Sequence, residues 1–251
     1  MLRIGTCSWT EKTLIQSSEF YPKSASIAEK RLRYYSFLFD TVEVDSSYYA
    51  IPDQRTTSLW AERTPENFIF HIKAYGALTG HDIKPSTLPK DIRNLLNEEA
   101  KTGNYVYIKD SAILKSIAET FKESLYPMHD INKLGVIVFQ FPPWFQYGTR
   151  NLDYMLRCKE LMQGYQLAIE FRHGSWLAPK IFSSVIEFLR KHQLTYITVD
   201  EPQYESPASV PFVPNVTTQT AYFRLHGRNK ENWLKKGIET SLRYAIIPTT
   251  N

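Results

Sequence analysis

Carboxylates and cations recur at alternating positions inside short apolar runs of this chain, in residue types that perform acid/base chemistry. Glu43, Glu170 and Asp200 can serve as general acid or base, and His226 can shuttle a proton near neutral pH. Lys73, Arg172 and Arg224 offer fixed positive charge, the two arginines as planar forks that match phosphate or carboxylate. Asp45, Gln140 and Arg228 complete the polar set. Trp9, Tyr48 and Trp176 place rings beside it on which a sugar or base could stack, whereas most of the other aromatics read as core. Together these residues suit a small polar or anionic ligand, bearing phosphate or sugar, that is turned over by proton transfer.

Strand parity is what would bring them together. Successive side chains of a strand point to opposite faces, and charge is costly against packed helices, so polar residues of one parity share one interior. Glu43 and Asp45 alternate with Val42 and Val44, and His71 and Lys73 alternate with Phe70 and Ile72. Glu170 and Arg172 alternate with Ile169 and Phe171, while Gln140 and Asp200 close their own runs. In the last run Tyr222, Arg224, His226 and Arg228 share one side, and Ala221, Phe223 and Leu225 lie on the other.

Seven apolar runs carry these residues: Arg3 to Trp9, Thr41 to Tyr48, Phe68 to Lys73, Leu134 to Phe141, Gln166 to Arg172, Thr195 to Asp200 and Tyr222 to His226. Helical periodicity over Ile27 to Phe37, Asn151 to Met162 and Pro179 to His192 suits crossovers between parallel strands. Most runs start about 26 to 39 residues apart, close to the strand-plus-helix unit of an α/β barrel. The fold class expected is therefore α/β, a TIM-barrel-like (β/α) barrel formed as a single domain over residues 1–251. Its polar set would lie at the C-terminal mouth, where such barrels build active sites. One interval is longer, and its Pro85, Pro89 and helical patterns over Asp91 to Lys101 and Ile113 to Leu125 predict an inserted excursion at about 76–130, read as a lid. An eighth strand has only the short run Ala245-Ile246-Ile247-Pro248 to form it, so the eighth β/α unit reads as missing or truncated. An open barrel edge would invite self-association.

Of the 251 residues, 43% are hydrophobic and 14% aromatic, enough apolar surface for a sizeable core. No stretch approaches the roughly 20 apolar residues of a membrane helix, and no secretory h-region opens the chain, so a cytoplasmic protein without membrane contact is expected. Cys7 and Cys158 show no metal or redox spacing and read as reduced packing residues. No organic cofactor motif is present. A divalent metal is not favoured: His226, with His81 or His173, could join Glu43, Glu170 and Asp200, but Lys73, Arg172 and Arg224 would repel it. The net charge of +4 leaves nucleic acid open as a partner, with an endonuclease-like hydrolase as the corresponding activity. A non-catalytic scaffold held by a structural ion-pair network is the third alternative.

The ordered motifs also carry a resemblance. Ile4-Gly5-Thr6-Cys7-Ser8-Trp9, Phe20-Tyr21-Pro22, Val42-Glu43-Val44-Asp45-Ser46-Ser47-Tyr48-Tyr49, Phe139-Gln140-Phe141-Pro142-Pro143, Glu170-Phe171-Arg172 with Ser175-Trp176, and Tyr222-Phe223-Arg224-Leu225-His226-Gly227-Arg228 follow one another over residues 1 to about 233. In this the chain resembles the bacterial and archaeal family known as domain of unknown function 72. The resemblance implies a TIM-barrel-like fold and brings no settled activity with it. Family members also end in a further helix and a strand rich in asparagine and histidine, and the resemblance does not extend to that ending.

Overall fold

β-Branched and aromatic residues in the apolar runs build six strands in the computed structural model, which describes residues 1–17, 19–205, 209–233, 235 and 237. They are β1 (Thr41–Val44), β2 (Ile69–Lys73), β3 (Leu134–Gln140), β4 (Leu167–Glu170), β5 (Thr195–Asp200) and β6 (Tyr222–Leu225), and they follow chain order across the sheet. The pairings β1–β2, β2–β3, β4–β5 and β5–β6 are parallel, which makes this an α/β fold.

Seven strands were expected, and the first run departs from that. Arg3 to Trp9 forms only a parallel bridge between Cys7 and Glu43, in which Ser8 N–H donates to the Glu43 carbonyl at 2.8 Å and Glu43 N–H to that of Thr6 at 3.1 Å. Side chains claim the donors that a ladder would use, since Ile4 N–H donates to Asp40 Oδ1 at 3.3 Å and Thr6 N–H to Tyr35 Oη at 2.7 Å. Ser8 then turns to a φ of 75°, which ends the extended segment. Gly5 permits the close approach to β1, because a Cβ there would lie 2.2 Å from the Thr41 carbonyl oxygen. The Ala245 to Pro248 run lies outside the described residues.

The chain divides into two compact units, one of residues 1–138 and 160–165, the other of residues 139–159 and 166–251. The first unit holds α1 (Lys12–Gln16), α2 (Ala28–Leu38), α3 (Gln54–Glu62), α4 (Lys90–Asn94), α5 (Glu98–Thr102) and α6 (Ser111–Asp130). Asp110 starts α6 by accepting the N–H groups of Ala112 and Ile113 at 2.7 and 3.0 Å, and Leu114, Ile117, Phe121, Leu125 and Met128 form its buried stripe. Buried Lys133 donates from Nζ to the carbonyls of Ala61 at 2.6 Å and Thr64 at 2.8 Å, closing the C-terminal end of α3 with a positive charge. His71 on β2 accepts the Val136 N–H at Nδ1 over 3.0 Å, and burial, with Arg3 adding to it, pushes its pKa down to about 4.

The expected helix from Asp91 to Lys101 is two short ones, because Asn97 leaves the helix and caps a new one by accepting the Ala100 N–H at 2.8 Å. Buried Leu78, Ile83, Leu88, Ile92, Leu96 and Ile108 give the inserted excursion an apolar layer of its own.

The second unit holds α7 (Thr149–Leu161, whose last turn passes into the first unit), α8 (Phe182–Lys191) and α9 (Lys230–Trp233). α8 buries Val185, Ile186 and Leu189 at helical spacing. Phe171, Phe145 and Trp176 stack into a buried aromatic cluster in the same unit. On β6 the alternation holds, with Arg224 buried while Phe223 is 48% and Leu225 75% exposed. Among the described residues no helix is long and apolar enough to cross a membrane.

Candidate functional site

In the second unit, Glu170 ends β4 fully buried and draws cations from two neighbouring segments. The Arg224 guanidinium on β6 donates from Nη1 both to Glu170 Oε2 and, at 3.0 Å, to Gln140 Oε1. Arg172 Nη1 lies 3.2 Å from Glu170 Oε1, and His226 Nε2 is 3.5 Å from the same oxygen. Burial alone would raise the Glu170 pKa, but Arg224, His226 and Arg172 together outweigh it and hold the carboxyl well below its usual range.

A second carboxylate enters this network from an unexpected position. Glu201, 3% exposed, pairs its Oε2 with Arg172 Nη1 at 2.9 Å and accepts the Val210 N–H at Oε1 over 3.1 Å. Burial pushes its pKa up, against the pull of Arg172 and the Val210 N–H. Arg172 therefore sits between one carboxyl driven toward ionisation and another driven toward protonation. Its guanidinium carbon lies 5.4 Å from the Trp233 ring, whose centroid is 5.9 Å from the His226 ring. Arg172 and His226 keep 18% and 11% of their side chains exposed, so the network has an edge open to solvent.

Asp200 was expected in this network and pairs elsewhere, with Arg228 Nε at 2.9 and 3.2 Å. Sheet register explains the exchange. β4 and β5 align Ala168 with Thr195, and β5 and β6 align Val199 with Arg224 and Asp200 with Leu225. Glu170, Val199 and Arg224 are thus one parity class, which reaches Glu201 and excludes Asp200. The Arg228–Asp200 pair leaves Arg228 73% exposed, a contact of little strength.

Trp176, expected to face a ligand, is fully buried in the structure. It stacks on Phe171 and Phe145 at 4.4 and 5.5 Å and donates its indole N–H to the Phe145 carbonyl at 2.6 Å. Trp9, likewise expected beside a ligand, is 6% exposed and packs edge-on against Trp60 and Phe70 at 5.3 and 6.4 Å. Aromatic residues just after strands look alike in sequence whether they cap the core or line a mouth.

The first unit gathers the other polar candidates. Glu43, 6% exposed, accepts a hydrogen bond from the Cys7 thiol at 3.9 Å. Asp45 Oδ1 lies 3.8 Å from Lys73 Nζ, which stands 5.0 Å from the centre of the Tyr48 ring. Burial, with Tyr49 beside it, pushes the Tyr48 pKa up to about 12. His81 meets that ring edge-on at 5.2 Å and shares a 2.8 Å hydrogen bond with Thr79 through Nδ1. Cys7 is exposed and so does not take the packing role expected of it, whereas Cys158 is buried and its thiol is pushed up by that burial.

Comparison with known proteins agrees with the resemblance in the motifs. The model of the family "Protein of unknown function DUF72" matches residues 3–245. The UPF0759 protein YunF of Bacillus subtilis (strain 168) is 34% identical over 236 residues, which cover 94% of this chain and 73% of that protein. A DUF72 family protein from Thermotoga maritima MSB8 has a crystal structure that superposes with a TM-score of 0.72 at 28% identity, covering 100% of this chain and 82% of that one. For a DUF72 family protein from Enterococcus faecalis V583 the TM-score is 0.69 at 26% identity, with 93% of this chain and 76% of that one covered. With a family match over nearly its whole length and a relative this similar, the chain belongs to the DUF72 family of proteins of unknown function.

Proposed function

We propose that the Glu170, Arg172, Glu201, Arg224 and His226 network binds a small anionic ligand, one bearing phosphate or sugar phosphate, and moves a proton on it. One observation carries this: Glu170 and Glu201 share the Arg172 guanidinium, at 3.2 and 2.9 Å, while their surroundings drive their protonation in opposite directions. Two carboxyls separated in this way offer a fixed anion and a second group that holds a proton more readily within one site. Arg172 and Arg224 both converge on the ionised Glu170, and a proton taken up by Glu201 would leave a positive charge that an anion would balance. Glu201 acts as the general acid or base with His226 as its relay, while Arg172, at the open edge, takes the ligand's charge. Parallel strands in chain order support placing this site at the strand ends of a TIM-barrel-like architecture.

Thermal unfolding with inorganic phosphate and a panel of sugar monophosphates tests the proposal. A ligand present at 100 times its Kd stabilises the folded state by about 2.7 kcal/mol. Arg172→Lys keeps the charge and removes the fork, so it should weaken that stabilisation roughly tenfold in ligand concentration. Equal shifts in wild type and variant at every concentration contradict the assignment.

A further inference from the structure

We infer that Cys7, Glu43 and Asp45 form a site for one borderline-soft dication of the zinc or cobalt(II) class. These are residues that the anion-site proposal does not use, so the two stand or fall separately. One thiol sulfur and one oxygen from each carboxylate all lie within 4.8 Å of one another. Tetrahedral coordination, with bonds of about 2.3 Å to sulfur and about 2.0–2.2 Å to oxygen, places such atoms roughly 3.3–3.7 Å apart. Small side-chain rotations, on the order of 1 Å at each ligand atom, would therefore close the set around an ion.

The backbone holds two of the ligands in place. The parallel bridge between Cys7 and Glu43 is closed on both sides of Glu43 by hydrogen bonds of 2.8 and 3.1 Å, and Asp45 follows Glu43 at the same strand parity. Glu43 is 6% exposed in a strand whose neighbours Val42 and Val44 are buried, a setting in which a carboxylate is retained at a cost. Exposed Cys7 provides the entry side. The thiol that now donates to Glu43 at 3.9 Å would lose its proton to solvent as the metal–sulfur bond forms, so binding releases one proton. A thiolate beside two carboxylates favours zinc or cobalt(II) over magnesium or calcium, which take oxygen alone. Three protein ligands leave the fourth position for water or a substrate atom. Lys73, 3.8 Å from Asp45, is the positive charge with which a bound ion would compete.

Titration of the full chain with cobalt(II), read by absorption and by competition with a chelator, decides the matter. One equivalent should bind with a thiolate-to-cobalt charge-transfer band, and its affinity should rise with pH as the thiol proton is displaced. Cys7→Ser should abolish the band, Glu43→Gln should weaken binding at least about tenfold, and Lys73→Met should strengthen it. Zinc should displace the cobalt. Binding without the band, equal affinity in wild type and Cys7→Ser, or no binding below millimolar cobalt would overturn the inference. Lys73→Met keeps the test decisive if Cys7→Ser does not fold, because unchanged or weaker binding in that variant also overturns it. Phosphate-induced stabilisation reads the anion site and is expected to survive in Cys7→Ser.

Discussion

Replacing Arg224 by alanine will lower the free energy of unfolding by about 3–5 kcal/mol, far more than removal of a surface arginine. Its side chain is 6% exposed and bonds the fully buried Glu170 and, at 3.0 Å, Gln140. Taking the guanidinium away leaves a carboxylate in the interior with part of its compensation gone, and that uncompensated charge makes the loss large. The same pairing makes the Glu170 contribution depend on pH. Because Arg224 and its neighbours hold the folded carboxyl well below its unfolded pKa, this stability is present above the unfolded pKa and is lost as pH falls toward the folded one. The double variant Glu170→Gln, Arg224→Met removes both charges and should recover much of the loss. Urea denaturation of the three proteins measures this. A cost under about 1 kcal/mol for Arg224→Ala would mean that water reaches the pair as it does a surface bridge.

Alanine at Trp176 is expected to cost a similar amount, about 3–5 kcal/mol, through the cavity that a fully buried indole leaves. Phe171 and Phe145 would each lose a stacked neighbour, at 4.4 and 5.5 Å, and the Phe145 carbonyl would lose its 2.6 Å donor. Trp176→Phe should cost less, because it restores most of the volume and gives up mainly the hydrogen bond, at about 1–3 kcal/mol. Denaturant midpoints distinguish the outcomes. A Trp176→Ala protein as stable as wild type but unable to respond to phosphate would reinstate the ligand-stacking role that the sequence suggests.

The sequence was most legible where one period governed a whole segment. All six strands fall inside apolar runs, and α6 follows its spacing of buried residues because burial, rather than local propensity, selects those positions. The Thr41 to Tyr48 run ends early as a strand because its last residues, Ser46–Tyr48, turn into a 3-10 helix, with Ser47 Oγ donating to the carbonyls of Val44 and Lys73 at 2.9 and 2.6 Å. Arg3 to Trp9 reads as a strand by pattern and fails as one through side-chain hydrogen bonds and the Ser8 turn, neither of which periodicity contains.

Site residues were legible in proportion to how far parity alone determined them. Glu170, Arg172, Arg224 and His226 follow from alternation within single strands, and they meet as expected. Glu201 required the register between β4, β5 and β6, which one strand's alternation cannot supply, so Asp200 took its place in the reading. The Cys7, Glu43 and Asp45 grouping depends on a bridge between segments far apart in sequence, and nothing in the spacing of Cys7 and Cys158 points to it.

Carbon-13 spectra of the glutamate side-chain carboxyls, recorded across acidic to neutral pH and assigned with Glu201→Gln, address the opposed carboxyls themselves. Glu170 should remain ionised at pH values where surface glutamates have already taken up protons, and Glu201 should titrate above them. Two resonances that follow the surface glutamates, or that shift in the same direction as each other, would contradict the account.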